Sequence, residues 1–423
     1  MNSANKGRAA ILAVGEELLR GEIIETNAAH IIRVLTDAGY DIDETRMVGD
    51  RPADIQAAVL DLTARAGILI ITGGLGPTDD DLTRQAVADA FGRAMEYQDN
   101  VLDWMAQRIG RPVSELAKSN RRQCERVAGS ELIRNAYGTA PATWLTLPSG
   151  GIVALLPGVP VEMKGLLADE ILPRLLRSHP PYRSTAVAYL SCAGAGESTM
   201  ADAVKDLSGE PGITIGTRIS DSVIVFRIVA DGTTLDSARA RLADTLPKVR
   251  ERLGAWIYAD GDQPPIVALH KILNERGWTI TVSESCTGGL LAAELTSLSG
   301  ATAYFKESQV VYANEAKVKY AGVDPELIQK FGAVSKEVVE SMAIHSLKNA
   351  NADIAIAVSG IAGPTGGSPE KPIGTVDVAV AFKDRVVSER RRLYGDRTAV
   401  RRRAVQSALV LALRTIGSPH AGL

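Results

Sequence analysis

Four short apolar runs in this chain each end in a small-residue turn and pass into a helical pattern. Arg8 to Val14 leads into Gly15-Glu16-Glu17, and Gly67 to Thr72 into Gly73-Gly74. Ile152 to Leu156 leads into Pro157-Gly158, and Trp278 to Val282 into Glu284-Ser285-Cys286-Thr287-Gly288-Gly289. A fifth run, Ile354 to Val358, enters the glycine-rich loop Ser359 to Gly367. Runs of this length, alternating with helices, predict an α/β chain with mostly parallel sheets covered on both faces. Ligands of such sheets bind outside the carboxyl ends of the strands. The turns are therefore the first places to look for function.

With 423 residues the chain can hold two or three domains. Residues 1–172 read as the first, with helices predicted at Glu25 to Ala38, Ile55 to Ala66, Leu82 to Phe91 and Glu162 to Leu167. Pro173 to Pro181 is a break. Residues 182–259 change rhythm to β-α-β-β-α, a small α+β module with the element order of a KH domain but without the GxxG clamp that nucleic-acid binding would need. Gly261 to Pro265 forms a second linker, and residues 264–417 form a third domain ending in a helix from Arg397 to Ile416. Gly417 to Leu423 reads as a disordered tail.

Composition excludes several classes. A net charge of -3 gives no global reason to bind nucleic acid, and Arg390 to Arg392 with Arg401 to Arg403 read as solvated strand and helix ends. Three widely spaced cysteines argue against a disulfide framework and fit a reducing cytoplasm. No apolar run approaches the ~18 residues of a membrane span, and Met1 to Val14 reads as a first strand rather than a signal peptide.

Two sites stand out. In Thr72 to Thr83, Gly73, Gly74 and Gly76 let phosphate approach the backbone and the following helix supplies N–H donors. Asp80 and Asp81 beside them suit a divalent cation bridging carboxylate to phosphate, or, more blandly, the first turn of a capped helix behind Thr78. In Glu284 to Gly289, Ser285 and Cys286 are both potential nucleophiles. No histidine sits in a motif with them, whereas Lys317 and Tyr312 could activate the serine. N–H groups at the Thr287-Gly288 turn would hold an oxyanion. The alternatives are a helix-capping Ser285, a solvated Lys317 and a core Tyr312. The Ser359 to Gly367 loop has too many glycines for an ordinary connection and reads as a phosphate or substrate cradle.

Gly15 to Leu19 with Thr26-Asn27, the Thr72 to Thr83 motif and Leu156 to Met163 resemble the molybdopterin-binding-like domain of CinA (competence/damage-inducible) proteins. Glu284 to Gly289, Tyr312 to Lys317, Gly332 to Ser335, Ser359 to Gly367, Glu370 to Val376 and Gly395-Asp396-Arg397 resemble the carboxy-terminal domain of the same family. The resemblance implies a molybdopterin-binding-like domain, a KH-type module and a nicotinamide-nucleotide amidohydrolase domain, in a cytoplasmic homodimer. It implies deamidation of nicotinamide mononucleotide without a cofactor, by Ser285, Tyr312 and Lys317. Thr287, Gly288, Gly289, Gly360, Gly363, Gly366, Gly367 and Arg397 would contact that substrate. It also implies metal-dependent cleavage of ADP-ribose to AMP and ribose 5-phosphate, with Glu17, Asn27, Gly73, Gly74, Gly76, Thr78, Pro157 and Gly158 at the nucleotide and Asp80 and Asp81 at the metal. Neither membrane nor nucleic-acid binding is expected. A deamidase with a silent first domain, a competence- or damage-associated binding protein, and a molybdopterin binder remain as alternatives. The chain departs from the family with Arg122 in place of a lysine, Val127 in place of a proline, Ala142 in place of a glycine, and Ser308-Gln309 where glycine is common.

Overall fold

The computed structural model describes residues 7–220 and 223–417; the expected disorder of the tail falls almost wholly outside this range. Two compact units are present, one of residues 1–186 with 231–239, the other of residues 187–230 with 240–423.

The first unit is built on a six-stranded sheet. Its strands are β1 (Arg8–Val14), β2 (Asp41–Val48), β3 (Ile68–Thr72), β6 (Ser130–Ile133), β7 (Ala142–Thr146) and β8 (Ile152–Leu156), in the order β2-β1-β3-β8-β7-β6. β4 (Met95–Tyr97) and β5 (Glu125–Val127) form a separate antiparallel ribbon. The β1, β2, β3 and β8 strands run parallel, while β7 and β6 add an antiparallel flank. β3 and β8 are buried on both faces, as their unbroken apolar sequences require. Helices α1 (Glu16–Leu19), α2 (Asn27–Asp37), α3 (Pro52–Arg65), α4 (Thr83–Ala90), α5 (Asn100–Ile109), α6 (Pro160–Leu166) and α7 (Leu172–Ser178) complete the unit. Two large buried clusters fill most of its core, one around Leu12, Val59, Leu69 and Val87, the other around Ile11, Ile31, Ile70 and Met163, and a small third gathers Val101, Met105, Cys124 and Leu132. Ile11 and Leu12, neighbours on β1, fall in different clusters, so the sheet is packed on both faces.

The antiparallel flank and β2 are absent from the sequence reading. β2 alternates exposed and half-buried residues along Asp41 to Val48 and pairs only with β1, so no apolar run marks it.

The second unit contains two sheets. A four-stranded one has the order β10 (Ile213–Ser220), β11 (Val223–Gly232), β9 (Ser184–Cys192), β12 (Ile257–Asp260), with α8 (Glu197–Ala203) and α9 (Leu235–Leu253). The other has five strands, β14 (Phe305–Val310), β13 (Ile280–Glu284), β15 (Ile354–Gly360), β16 (Thr375–Phe382) and β17 (Arg385–Arg392), in that order. β13 is parallel to β14 and β15, whereas β16 and β17 return antiparallel. α10 (Pro265–Arg276), α11 (Leu290–Leu295) and α15 (Arg397–Thr415) belong to this part of the chain, as do α12 (Asn314–Ala321), α13 (Pro325–Phe331) and α14 (Lys336–Asn349). α10, α11 and α15 contribute to one apolar cluster and α14 to a second, with alternate residues of β15 split between the two. No helix among the described residues is long and apolar enough to cross a membrane.

Candidate active sites

The carboxy-terminal site forms where β13 and β15 end side by side. Their register pairs Glu284 with Val358, and the next N–H, that of Ser285, donates to the Val358 carbonyl (2.9 Å). Ser285 is thereby fixed at the first residue past the strand. The turn that follows needs left-handed backbone twice, at Gly288 (φ 59°) and Gly289 (φ 95°), which glycine adopts without a Cβ penalty.

Glu284 holds this turn rigid. Its side chain is fully buried and accepts from the backbone N–H of Gly289 (3.0 Å), Leu291 (3.1 Å) and Ala292 (2.9 Å). The first turn of α11 is thus occupied from within. The Gly288 N–H is also spent, on the Ser285 carbonyl (3.1 Å). Of the Thr287-Gly288 pair, only the Thr287 N–H makes no hydrogen bond among the described residues.

Lys317 enters from α12. Helical side chains lean toward their own N-terminus, and Lys317 folds back over the Val311-Tyr312 segment. Its Nζ lies 3.0 Å from Ser285 Oγ, 2.9 Å from the Val311 carbonyl and 3.1 Å from the Tyr312 carbonyl. The side chain is 1% exposed, and burial pushes its pKa below the usual lysine range, against the opposite pull of Cys286 and Glu315. A neutral amine has two hydrogens and one lone pair. With the hydrogens on the two carbonyls, the lone pair has only the Ser285 hydroxyl to accept from.

Tyr312 is placed differently from the sequence expectation. Its side chain is 57% exposed, and its hydroxyl accepts from Arg397 (2.8 Å). No hydrogen bond links that hydroxyl to Ser285 or Lys317 among the described residues; the lysine meets Tyr312 through its carbonyl alone. Arg397, at the start of α15, also donates to the Gly363 carbonyl (2.8 Å), so one guanidinium ties Tyr312 to the glycine loop. Gly360 packs beside Cys286 and Val376, while Gly363 and Gly367 pack on Ile373; Gly366 is the loop's outer turn, with only Ile361 near. Cys286 is 4% exposed, and burial pushes its thiol up to about 12, which leaves it protonated at neutral pH. Ser308 Oγ and Gln309 Oε1, at the family departure in β14, are buried without partners among the described residues.

The amino-terminal site is a cavity of about 460 Å³ at the carboxyl ends of β1, β3 and β8. Glu17, Asn27, Gly73, Gly74, Gly76, Thr78, Asp80, Asp81, Pro157 and Gly158 all line it. Asn27 donates to Thr72 Oγ1 (3.1 Å) and to the Gly158 carbonyl (2.8 Å), joining the ends of β3 and β8. Its own Oδ1 is buried and without a partner among the described residues. Sequence reading missed Asp50 and Gln123, which also face the cavity. Asp50 follows β2 and would have been found had that strand been seen. Burial, with the nearby charges of Glu17, Asp80 and Asp81, pushes its carboxyl above the usual range, against the Glu16 N–H that it accepts (2.8 Å).

Six carboxylates line this cavity (Glu17, Glu25, Asp50, Asp80, Asp81 and Glu162), and its lining contains no lysine, arginine or histidine. Such a surface repels bare phosphate. The fit to a cation is partial. Asp81 spends one oxygen on the Thr78 N–H (2.8 Å) and hydroxyl; the capping alternative does not hold, because α4 begins at Thr83 behind Leu82 with no side-chain cap and no acidic residue in its first turn. No three acidic, histidine or cysteine side chains among the described residues converge as a ligand set. The donors suit a hard cation held by one or two carboxylates, with phosphate and water completing its shell. Arg122, the family departure, donates to the Thr78 carbonyl and pairs with Asp79 (3.2 Å), so it anchors the aspartate loop from outside the cavity. Arg84 is buried beneath, donating to the carbonyls of Leu75 (3.2 Å) and Pro141 (2.9 Å), and burial lowers its pKa to about 10.

Comparison with known proteins bears on all three segments. Residues 10–177 match the model of a probable molybdopterin binding domain, residues 188–259 that of the damage-inducible protein CinA KH domain, and residues 264–416 that of the CinA C-terminal domain. A CinA-like protein of Geobacter sulfurreducens is 40% identical over 403 residues, spanning 95% of this chain and 97% of its own. A putative competence-damage inducible protein of Symbiobacterium thermophilum is 37% identical over 419 residues, spanning 96% and 98%. The crystal structure of competence damage-inducible protein A from Klebsiella pneumoniae is 38% identical, covering 36% of this chain and 94% of its own, with a TM-score of 0.35. With relatives of that identity aligned from end to end and the three domains in the same order, the chain belongs to the CinA family.

Proposed function

We propose that the carboxy-terminal domain hydrolyses the carboxamide of nicotinamide mononucleotide to nicotinate mononucleotide and ammonia. The observation that carries this is the buried Lys317 Nζ, 3.0 Å from Ser285 Oγ with two carbonyls holding its remaining valences. Lys317 takes the hydroxyl proton as Ser285 Oγ bonds to the carboxamide carbon, and the Thr287 N–H receives the developing oxyanion. The C–N bond then breaks, with Lys317 returning its proton to the departing ammonia. Water, deprotonated by the same lysine, cleaves the acyl ester and restores Ser285. Arg397 and the Gly363 to Gly367 loop receive the ribose phosphate, and Tyr312, held by Arg397, orients the substrate. The test is ammonia release from nicotinamide mononucleotide by the wild type and by Ser285→Ala and Lys317→Met. Full activity in either variant rejects the assignment.

A second reading concerns the amino-terminal cavity. Its six carboxylates without a countercharge favour a substrate whose phosphates arrive with a divalent cation. ADP-ribose, cleaved to AMP and ribose 5-phosphate, fits that description. Asp80 would hold the ion with phosphate oxygens, and the ion would neutralise charge on the pyrophosphate. Asn27, Thr78 and the Gly73 to Gly76 backbone would position the nucleotide. Phosphate-ester release from ADP-ribose, with and without divalent cation and in Asp80→Ala/Asp81→Ala, tests it; the absence of cleavage by wild type with every cation tried leaves a deamidase with a silent first domain.

A further inference from the structure

The arginines around Arg390, read from sequence as solvated, border an unexplained concavity of the second unit. A cleft of about 1150 Å³ lies between the four-stranded module, at Gly194, Ala255 and Trp256, and the five-stranded domain, at the β16–β17 hairpin and the end of α15. Lys383, Arg385, Arg391 and Arg414 line it against only Asp384 and Glu389. Arg390 also lines it, but its guanidinium is fully engaged by Asp377 in two 2.8 Å bonds.

Two of the remaining cations share one carboxylate. Arg391 pairs with Glu389, and Arg414 reaches the same carboxyl group at 3.9 Å. Arg414 is largely desolvated, with a side chain 20% exposed and an Nε that is buried without a partner among the described residues. Burial pushes its pKa down, against the pull of Glu389 and with the charge of Arg391 adding to the lowering, and two guanidiniums face this one carboxylate. The position is built for it. Gly194, at φ 105°, stands where any Cβ would lie 2.1 Å from an Arg414 guanidinium nitrogen, and Arg414 donates to the Ala193 carbonyl. Arg385 covers the carbonyl end of α15 through Thr415 (2.6 Å), masking the helix terminus that would otherwise repel an anion.

We infer that this cleft binds a small phosphate-bearing anion between Arg391, Arg414 and Arg385. Guanidinium groups suit phosphate oxygens, and the volume matches a nucleotide-sized ligand. Phe382 is buried, and the half-buried Trp256 is the single other aromatic of the lining, so the cleft offers no series of aromatic faces for successive bases, which disfavours a single strand of nucleic acid. Arg397 and Arg414 lie 17 residues apart on α15, about 25 Å at 1.5 Å per residue. Arg414 is therefore remote from Arg397, and the ligand bridges the module without a GxxG clamp to the domain that carries the nucleophile.

The test is calorimetric titration of the full chain with inorganic pyrophosphate in EDTA, which stops the carboxylate-lined cavity from holding phosphate through a cation. Wild type is expected to bind, Arg391→Gln to bind about tenfold more weakly, as for loss of one charge-assisted hydrogen bond, and Arg391→Gln/Arg414→Gln not to bind. Arg397→Gln, which alters the deamidase site, should bind as wild type does. ADP binding more tightly than pyrophosphate with the same arginine dependence supports the site and assigns it to a nucleotide. No binding by wild type, equal binding by Arg391→Gln, loss in Arg397→Gln, or preference for a single-stranded oligonucleotide over both probes overturns the inference. Arg391, 30% exposed, tolerates substitution on folding grounds even if Arg414→Gln does not.

Discussion

Ser285 and Asp80 occupy comparable places, each in the loop after a buried parallel strand, yet their surroundings are electrically opposite. Around Ser285 the protein supplies its own base, a lysine stripped of water, and brings in a cation, Arg397, at the rim. Around Asp80 the cavity lining supplies six carboxylates and no cation, with Arg122 tied to Asp79 outside it. The strand ends place both sites, but strand topology does not decide chemistry. The first site is chemically complete within the chain, and the second needs charge from outside. The two should therefore respond differently to substitution, to pH and to chelation.

The largest effect expected is on deamidation. Ser285→Ala should abolish ammonia release, and Lys317→Met should lower kcat by about 10² to 10⁴, the usual contribution of a general base. Both should leave ADP-ribose cleavage at its wild-type rate. Loss of both activities in either variant would mean collapse of the fold rather than loss of a base. Chelation should do the reverse: EDTA should abolish cleavage of ADP-ribose and leave deamidation unchanged. Deamidation that also disappears in EDTA would remove the distinction between the sites.

The pH profile sharpens the same contrast. Lys317 acts as a base only when neutral, and burial lowers its pKa. Below that pKa the lone pair is protonated, so kcat should rise with pH through an ascending limb whose midpoint lies below the ordinary lysine value. A flat profile, or an ascending limb that persists in the residual activity of Lys317→Met, would assign the limb to another group.

Glu284→Gln should have a smaller effect. An amide keeps one acceptor oxygen but presents an NH₂ toward N–H groups that need an acceptor, which costs about 1–3 kcal/mol when buried. Thermal unfolding should show a lower Tm, and kcat should fall more than KM rises, because the turn carrying Ser285 loosens. A change in KM alone would place Glu284 outside the positioning of the nucleophile.

What the sequence revealed follows from burial. β3, β8, β13 and β15 are buried on both faces and read directly as apolar runs, so the loops at their ends were legible with them. β2 is an edge strand of alternating polar residues, and with it went Asp50, invisible without knowing that a strand precedes it. The pairing of Ser285 with Lys317 was suggested by residue types, but the route of the lysine over two carbonyls is a property of α12's direction, which spacing does not encode. For the same reason the phenol of Tyr312 was assigned to the lysine, whereas a guanidinium 85 residues away holds it. Glu284 read as part of a motif; only the folded turn shows its side chain spent on three N–H groups.

Cys286→Ala should have the smallest effect, and it tests the choice of Ser285 over its neighbour that the sequence reading made. The thiol is 4% exposed and held at about 12 by burial, so its thiolate fraction at pH 7 is negligible. Removing one buried sulfur beside Gly360 leaves a small void, of the kind that costs on the order of 1 kcal/mol. The variant should therefore keep kcat within about twofold while its Tm falls by a few degrees. A cysteine-selective alkylating reagent should likewise leave native wild-type activity intact. Inactivation by the reagent, together with loss of activity in Cys286→Ala, would transfer the nucleophilic role from Ser285 to its neighbour and leave the lysine as the base of a thiol enzyme.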